Sequence, residues 1–185
     1  MPDPTALLLI DVIDSFFREG MPNYYPDAPL VLPALRRLLE AARASGALIV
    51  HGAERHRPGL NDHEWQKLPL HHFEGAEDAA VVPGFEMRGE REILLPKRRY
   101  SAFFATDLAL LLHEQGIRRV VVAGVKTNVC VRATVQDAFA HGFAPIVPRE
   151  ATNSNRPHLA AASLEDIDRY FGRVVPLDDA VAALA

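Results

Sequence analysis

The chain has 185 residues, 49% apolar and 24% charged, with a net charge of −4; this suits a soluble globular domain with a sizeable core and excludes the basic surface needed for nucleic acid or anionic membranes. A single cysteine excludes an internal disulfide and fits a reducing, cytoplasmic setting. Residues 1–17 have no basic leader, Asp11 and Asp14 interrupt their apolar run, and no stretch approaches the roughly 20 apolar residues of a bilayer span.

In chain order, residues 6–13 (ALLLIDVI) read as a continuous apolar strand ending near an acid. Residues 30–44 place Leu35, Leu38, Leu39 and Ala42 on one helical face, and Gly46 is the expected stop. Residues 47–50 (ALIV) read as a second strand. Residues 52–84 are polar, rich in His and Pro and poorly periodic. That is long for a connection in a compact domain, and such segments are usually functional. Residues 93–95 form a third predicted strand. Thr106 is the expected N-cap of a helix carrying Leu108, Leu111 and Leu112. Residues 120–125 make a fourth strand, followed by a helix with Val131, Val135 and Ala138 on one face. Residues 144–147 make a fifth. Ala160, Leu164, Ile167 and Phe171 mark a helical stripe over 158–171, and residues 173–175 make a sixth strand before a short C-terminal helix. Apolar strands alternating with amphipathic helices predict an α/β fold over residues 1–185. The expected form is one three-layer sandwich, with a six-stranded, mainly parallel sheet and helices on both faces. Ligands bind such sheets beyond the carboxyl ends of the strands. Neither a dinucleotide fingerprint nor a phosphate-binding P-loop is present.

Three reactive side chains fall at predicted carboxyl strand ends: Asp11 at the first, Lys97 after the third, Cys130 after the fourth. Each has a bland explanation. Cys130 would fill a core corner, Asp11 would cap a turn, and Lys97 would be a solvated surface charge. Together they form a coherent chemical set. A nucleophilic thiol needs help losing its proton, and a helix N-terminus and an ammonium both lower its pKa. A carboxylate takes the proton and returns it to a leaving group. Free N–H groups at the start of the Cys130 helix would hold an oxyanion.

Three segments, LLLIDVIDSFF, KRRYSAFFATDL and GVKTNVCVRATVQDAFAHGF, resemble the isochorismatase-like cysteine hydrolase family, in an order and spacing that span most of the chain. The resemblance implies Asp11 as general acid/base, Lys97 as support for the ionised state and Cys130 as nucleophile. It also implies an oxyanion hole from the backbone N–H groups of Lys126 and Cys130, with a cis Val125–Lys126 peptide. Members that cleave a vinyl ether lack this cysteine. The resemblance therefore points to an amidohydrolase that cleaves a small amide, carbamoyl or ureido substrate through a thioester, releasing ammonia or an amine. It further implies a homo-oligomer, dimer or tetramer, with no nucleic-acid or membrane partner.

The long polar segment carries the choice of substrate. Nicotinamidases of this family bind a metal through DxH and a later His. Glu54, His56 and His71 resemble that set, with Glu replacing Asp and the later His closer. The departure favours an enzyme with no metal, and Asp62 after "HRP" also occurs in metal-free relatives acting on ureido or small acyl amides. A zinc-assisted nicotinamidase is the alternative, and a non-catalytic binding protein on the same fold is a third. His72 is expected to face solvent, or to be a ligand only if the register slips by one. Phe16, His56, Arg57, Tyr100 and Phe103 are the expected substrate contacts; Phe17 and Phe104 lie beside them in sequence.

Overall fold

The computed structural model describes residues 4–185. The strands are β1 (Thr5–Ile10), β2 (Leu48–Glu54), β3 (Glu92–Lys97), β4 (Arg119–Val125), β5 (Ala144–Pro148), β6 (Thr152–Asn153) and β7 (Arg173–Val175). They pair in the order β3-β2-β1-β4-β5-β7, every pair parallel, with β6 beside the end of β4. The helices are α1 (Asp14–Phe17), α2 (Leu32–Ser45), α3 (Leu108–Glu114), α4 (Arg132–Ala140), α5 (Pro157–Asp166) and α6 (Leu177–Leu184).

Among the described residues, seven strands replace the six expected. The addition, β6, is two residues long and pairs Thr152 and Asn153 with Gly124 and Val125; a strand that short has no hydrophobic period of its own. The first strand stops at Ile10 instead of residue 13. Asp11 takes a positive φ of 53° and leaves the sheet there. Conversely, β2 runs on to Glu54 and β3 to Lys97. Both residues therefore sit at carboxyl strand ends. α3 starts after Asp107, not Thr106, although the Thr106 hydroxyl does accept the Leu108 N–H at 3.3 Å.

β1 is buried on both faces, and its alternate residues feed two cores. Leu7 and Leu9 pack with Leu35, Leu38, Leu39 and Ala42 of α2. Ala6, Leu8 and Ile10 pack with Leu108 and Leu112 of α3 and with Val135 and Ala138 of α4. Gly46 closes α2 with φ 71° and donates its N–H to the Ala42 and Arg43 carbonyls. Gly124 is required by contact as much as by conformation. Its φ is 123°, and a Cβ there would lie 2.0 Å from the Ile10 carbonyl oxygen. The chain builds outward from β1 through β2 to β3, then restarts at β4 on the other side of β1. The strand order thus reverses between β1 and β4, where an open parallel sheet forms its ligand crevice.

Candidate active site

At that crevice the ends of β1, β2, β3 and β4 bring charges together. The Asp11 N–H donates to the Gly52 carbonyl at 2.8 Å. Its carboxylate Oδ1 accepts the Glu54 N–H at 2.8 Å, and Oδ2 lies 2.8 Å from Lys97 Nζ. Both side chains are wholly buried. Lys97 Nζ also reaches the Arg99 carbonyl at 3.3 Å. Burial alone would lower the Lys97 pKa, but the facing Asp11, Cys130 and Glu54 together raise it above the ordinary lysine value.

Cys130 lies in a π-helical turn, Thr127–Val131, between β4 and α4. The Thr127 hydroxyl meets that of Thr152 at 2.8 Å, so β6 braces the turn. The preceding Val125–Lys126 peptide is cis. The thiol's pKa is pushed well above its usual value, first by burial and then by Asp11, against the lowering pull of Lys97; Glu54 and a hydrogen bond to Asp11 add to the rise. This corrects the sequence-based expectation of a lowered pKa. Seclusion from water and two nearby carboxylates outweigh one ammonium. In the resulting arrangement the thiol lies beside the Asp11–Lys97 ion pair.

A second cluster adjoins the first. Ligand atoms of Glu54, His56, Glu64 and His71 lie within 4.8 Å of one another, and all four residues are buried. His56 Nδ1 lies 3.0 Å from Asp62 Oδ2, which also accepts from Arg98 Nη2 at 3.0 Å. Asp62 Oδ1 accepts from Arg99 Nη1 at 2.9 Å and from the Glu64 N–H at 3.1 Å. Those donors hold the Asp62 carboxyl well below the usual range in spite of burial. Burial keeps His56 neutral against the pull of Asp62. Its proton therefore belongs on Nδ1, and Nε2 is left with no hydrogen-bond partner. His71 Nδ1 faces the Pro69 carbonyl at 2.5 Å, which turns Nε2 toward Glu54 at 3.4 Å. Glu54 Oε1 and both Glu64 carboxylate oxygens are likewise buried without hydrogen-bond partners. Burial, then Glu54, raises the Glu64 pKa to about 7.

A cavity of about 150 Å³ opens onto Cys130 and is walled in part by Phe16, Tyr100, His71, Lys126 and Asn23. Asp11 and Lys97 lie behind the sulfur and do not line it. Of the expected substrate contacts, Phe16 and Tyr100 are in the wall. Phe103 is not; it is buried against His141 and Phe143 in the α3–α4 core. Arg57 is exposed and away from the cavity, and His56 sits behind it with Asp62. His72 also departs from expectation. A φ of 50° turns it inward, it is wholly buried, and its Nδ1 meets Glu54 Oε2 at 2.8 Å. Asn23, Leu68 and Val129 line the cavity, and Glu64 joins the second cluster, without having been singled out from the sequence. Glu64 was the readable one, being an acid between two histidines in a segment already suspected of metal binding.

A model of the isochorismatase domain matches residues 5–179. A maleamate amidohydrolase from Pseudomonas putida is 38% identical over 184 residues, spanning 97% of this chain and 86% of the relative. An N-carbamoylsarcosine amidase from Arthrobacter is 32% identical over 186 residues, spanning 97% of this chain and 70% of the relative. Among solved structures, an isochorismatase-like hydrolase from Alkaliphilus metalliredigens superposes with a TM-score of 0.90 at 34% identity, covering 98% of this chain and all of that one.

Proposed function

The chain belongs to the isochorismatase family, and from that premise we propose that it is a cysteine-dependent hydrolase of a small non-peptide amide, carbamoyl or ureido compound. The observation that carries this reading is the buried Asp11–Lys97 pair set against the Cys130 thiol, with that thiol at the wall of a small cavity. The thiol proton passes to Asp11 as sulfur attacks the carbonyl carbon. The resulting oxyanion is held by the N–H groups of Lys126 and Cys130. Collapse breaks the C–N bond, and Asp11 returns the proton to the departing nitrogen. Water then adds to the thioester, giving its proton to Asp11. Release of the acid product returns that proton to sulfur. Lys97 stays charged throughout and pairs with the Asp11 carboxylate between proton transfers. The names of the two relatives described above support an amide of this size as substrate. The test is ammonia release from a panel that includes maleamate, N-carbamoylsarcosine, other ureido acids and nicotinamide. Turnover of at least one compound, abolished in Cys130→Ala, is expected. No turnover of any panel compound, together with no covalent adduct at Cys130 by mass spectrometry after incubation with each of them, overturns the reading and leaves a binding protein on this fold.

A metal-assisted version is favoured by a separate observation. Glu54, His56, Glu64 and His71 converge, and four of their buried polar atoms lack hydrogen-bond partners. The two histidines each anchor Nδ1 on an oxygen and turn Nε2 inward, as metal-ligating histidines do. These residues fit a divalent metal such as zinc. When bound, such an ion supplies Lewis acidity toward a substrate oxygen or ring nitrogen. Metal analysis of the purified protein, with ammonia release before and after chelation, separates this version from the metal-free one.

A further inference from the structure

Among the described residues, nothing neutralises the Lys126 cation of the cavity. Asp11 is matched by Lys97, and the Glu54 carboxylate is matched by His71, His72 and Lys97. Lys126, which lines the same cavity as Cys130, has no such match. Among the described residues no carboxylate lies within salt-bridge distance of its Nζ. Nζ is instead held over two aromatic faces, 5.7 Å from the centroid of Phe16 and 5.4 Å from that of Tyr25. Phe16 is itself a cavity wall, and Tyr25 is fixed by its hydroxyl, which donates to Asn153 Oδ1 at 2.7 Å. The long stem therefore has a fixed seat, and its charged end is beside the space where substrate must lie. The charges that act on it are few. Half-burial lowers its pKa, Cys130 opposes that, and the nearby Arg156 cation adds to the lowering. No acid contributes. Asn23 stands in the same wall with its amide nitrogen near Ser15 Oγ at 3.1 Å and His72 Nε2 at 3.2 Å.

Resting on the hydrolase reading above, we infer that the substrate is an amide bearing a carboxylate a few bonds from the scissile carbonyl, and that the Lys126 ammonium binds that carboxylate. The main chain and side chain of one residue then serve two parts of one small molecule. The N–H faces the reacting carbonyl and Nζ faces the far acid. A cavity of about 150 Å³ admits only a short spacer between them. After C–N cleavage an amide acid gives a dicarboxylate and ammonia, and a carbamoyl amino acid gives ammonia, carbon dioxide and the zwitterionic amino acid.

The test uses the intact enzyme, Lys126→Met and Lys126→Arg. Met keeps the length of the stem against Phe16 and Tyr25, and Arg keeps the charge. The kinetic readout is the ratio of kcat/KM for a short amide acid to that for its neutral methyl ester, both followed by ammonia release. The native enzyme is expected to prefer the acid by about 10- to 100-fold, the span of one charge-assisted hydrogen bond. Lys126→Met should bring that ratio to within about threefold of unity, mainly through KM, while Lys126→Arg retains a clear preference. A ratio in Lys126→Met as large as in the native enzyme overturns the inference and leaves the hydrolase reading standing. A second readout needs no turnover: protection of Cys130 from iodoacetamide by succinate or maleate, compared with their dimethyl esters. Protection by the acids alone, lost in Lys126→Met, supports the carboxylate subsite even if no panel amide is cleaved. Equal protection by acid and ester rejects it.

Discussion

Two buried charge clusters meet at Glu54, and they are built in opposite ways. On one side Asp11 Oδ2 and Lys97 Nζ form an ion pair at 2.8 Å, and the Glu54 N–H donates to Asp11 Oδ1. On the other side the Glu54 carboxylate joins His56, Glu64 and His71, where several polar atoms point at one another unpaired. The first cluster is internally balanced and can hold a proton-transfer geometry without help. The second gathers two carboxylates around two histidines, with Lys97, His72 and Arg99 as nearby counter-charges, and still leaves four buried polar atoms without hydrogen-bond partners. Balance suits a reaction centre that must reset after each turnover; imbalance suits a place that something else occupies.

The sharpest way to separate the clusters is Cys130→Ala. It should reduce kcat/KM by at least about 10⁴-fold while leaving the urea midpoint nearly unchanged, because no buried charge loses its partner. Asp11→Asn and Lys97→Met should each do both kinds of damage. Either leaves an uncompensated group in the interior, and a loss of about 3–5 kcal/mol is expected from urea unfolding. The double variant should recover much of that stability and none of the activity; a double variant as unstable as the sum of the singles would show that the pair is not acting as a unit.

His51 lies outside both clusters and calibrates them. It is buried beside Glu92 and Arg43, and burial lowers its pKa from 6.5 to about 4. The folded protein holds the neutral ring, so its contribution is full above pH 6.5 and is lost as pH falls toward 4, up to about 3 kcal/mol. Urea midpoints across that window should fall in the native protein and fall less in His51→Gln. The smallest expected effect is that of zinc. At a free concentration 100 times its dissociation constant it should add about 2.7 kcal/mol, seen as a raised melting temperature that His56→Ala removes. No rise in the native protein would make the second cluster purely structural.

Much of this arrangement is legible in the residues, and the illegible parts have physical reasons. Continuous apolar runs mark β1 and β4 because both faces are covered, and the strand ends then locate Asp11, Lys97 and Cys130. Sequence neighbours of those residues are a poorer guide. Phe103 follows Lys97 by six positions yet packs into a core, because the chain turns away after β3. Between two adjacent histidines, composition does not say which is buried; the positive φ of His72 decides that both are. The raised thiol pKa was hidden as well, since it depends first on how deeply the fold buries the sulfur and then on the acids it gathers around it.

At Gly124 the fold depends on an atom that is missing. With no side chain there, the backbone of β4 comes against the Ile10 carbonyl, one residue before the acid and two residues before Lys126. The separation between the proton acceptor and the Lys126 amide is thus gauged by bare main chain on main chain. Even alanine would act as a shim, prising apart the two strands whose tips must work on the same bond.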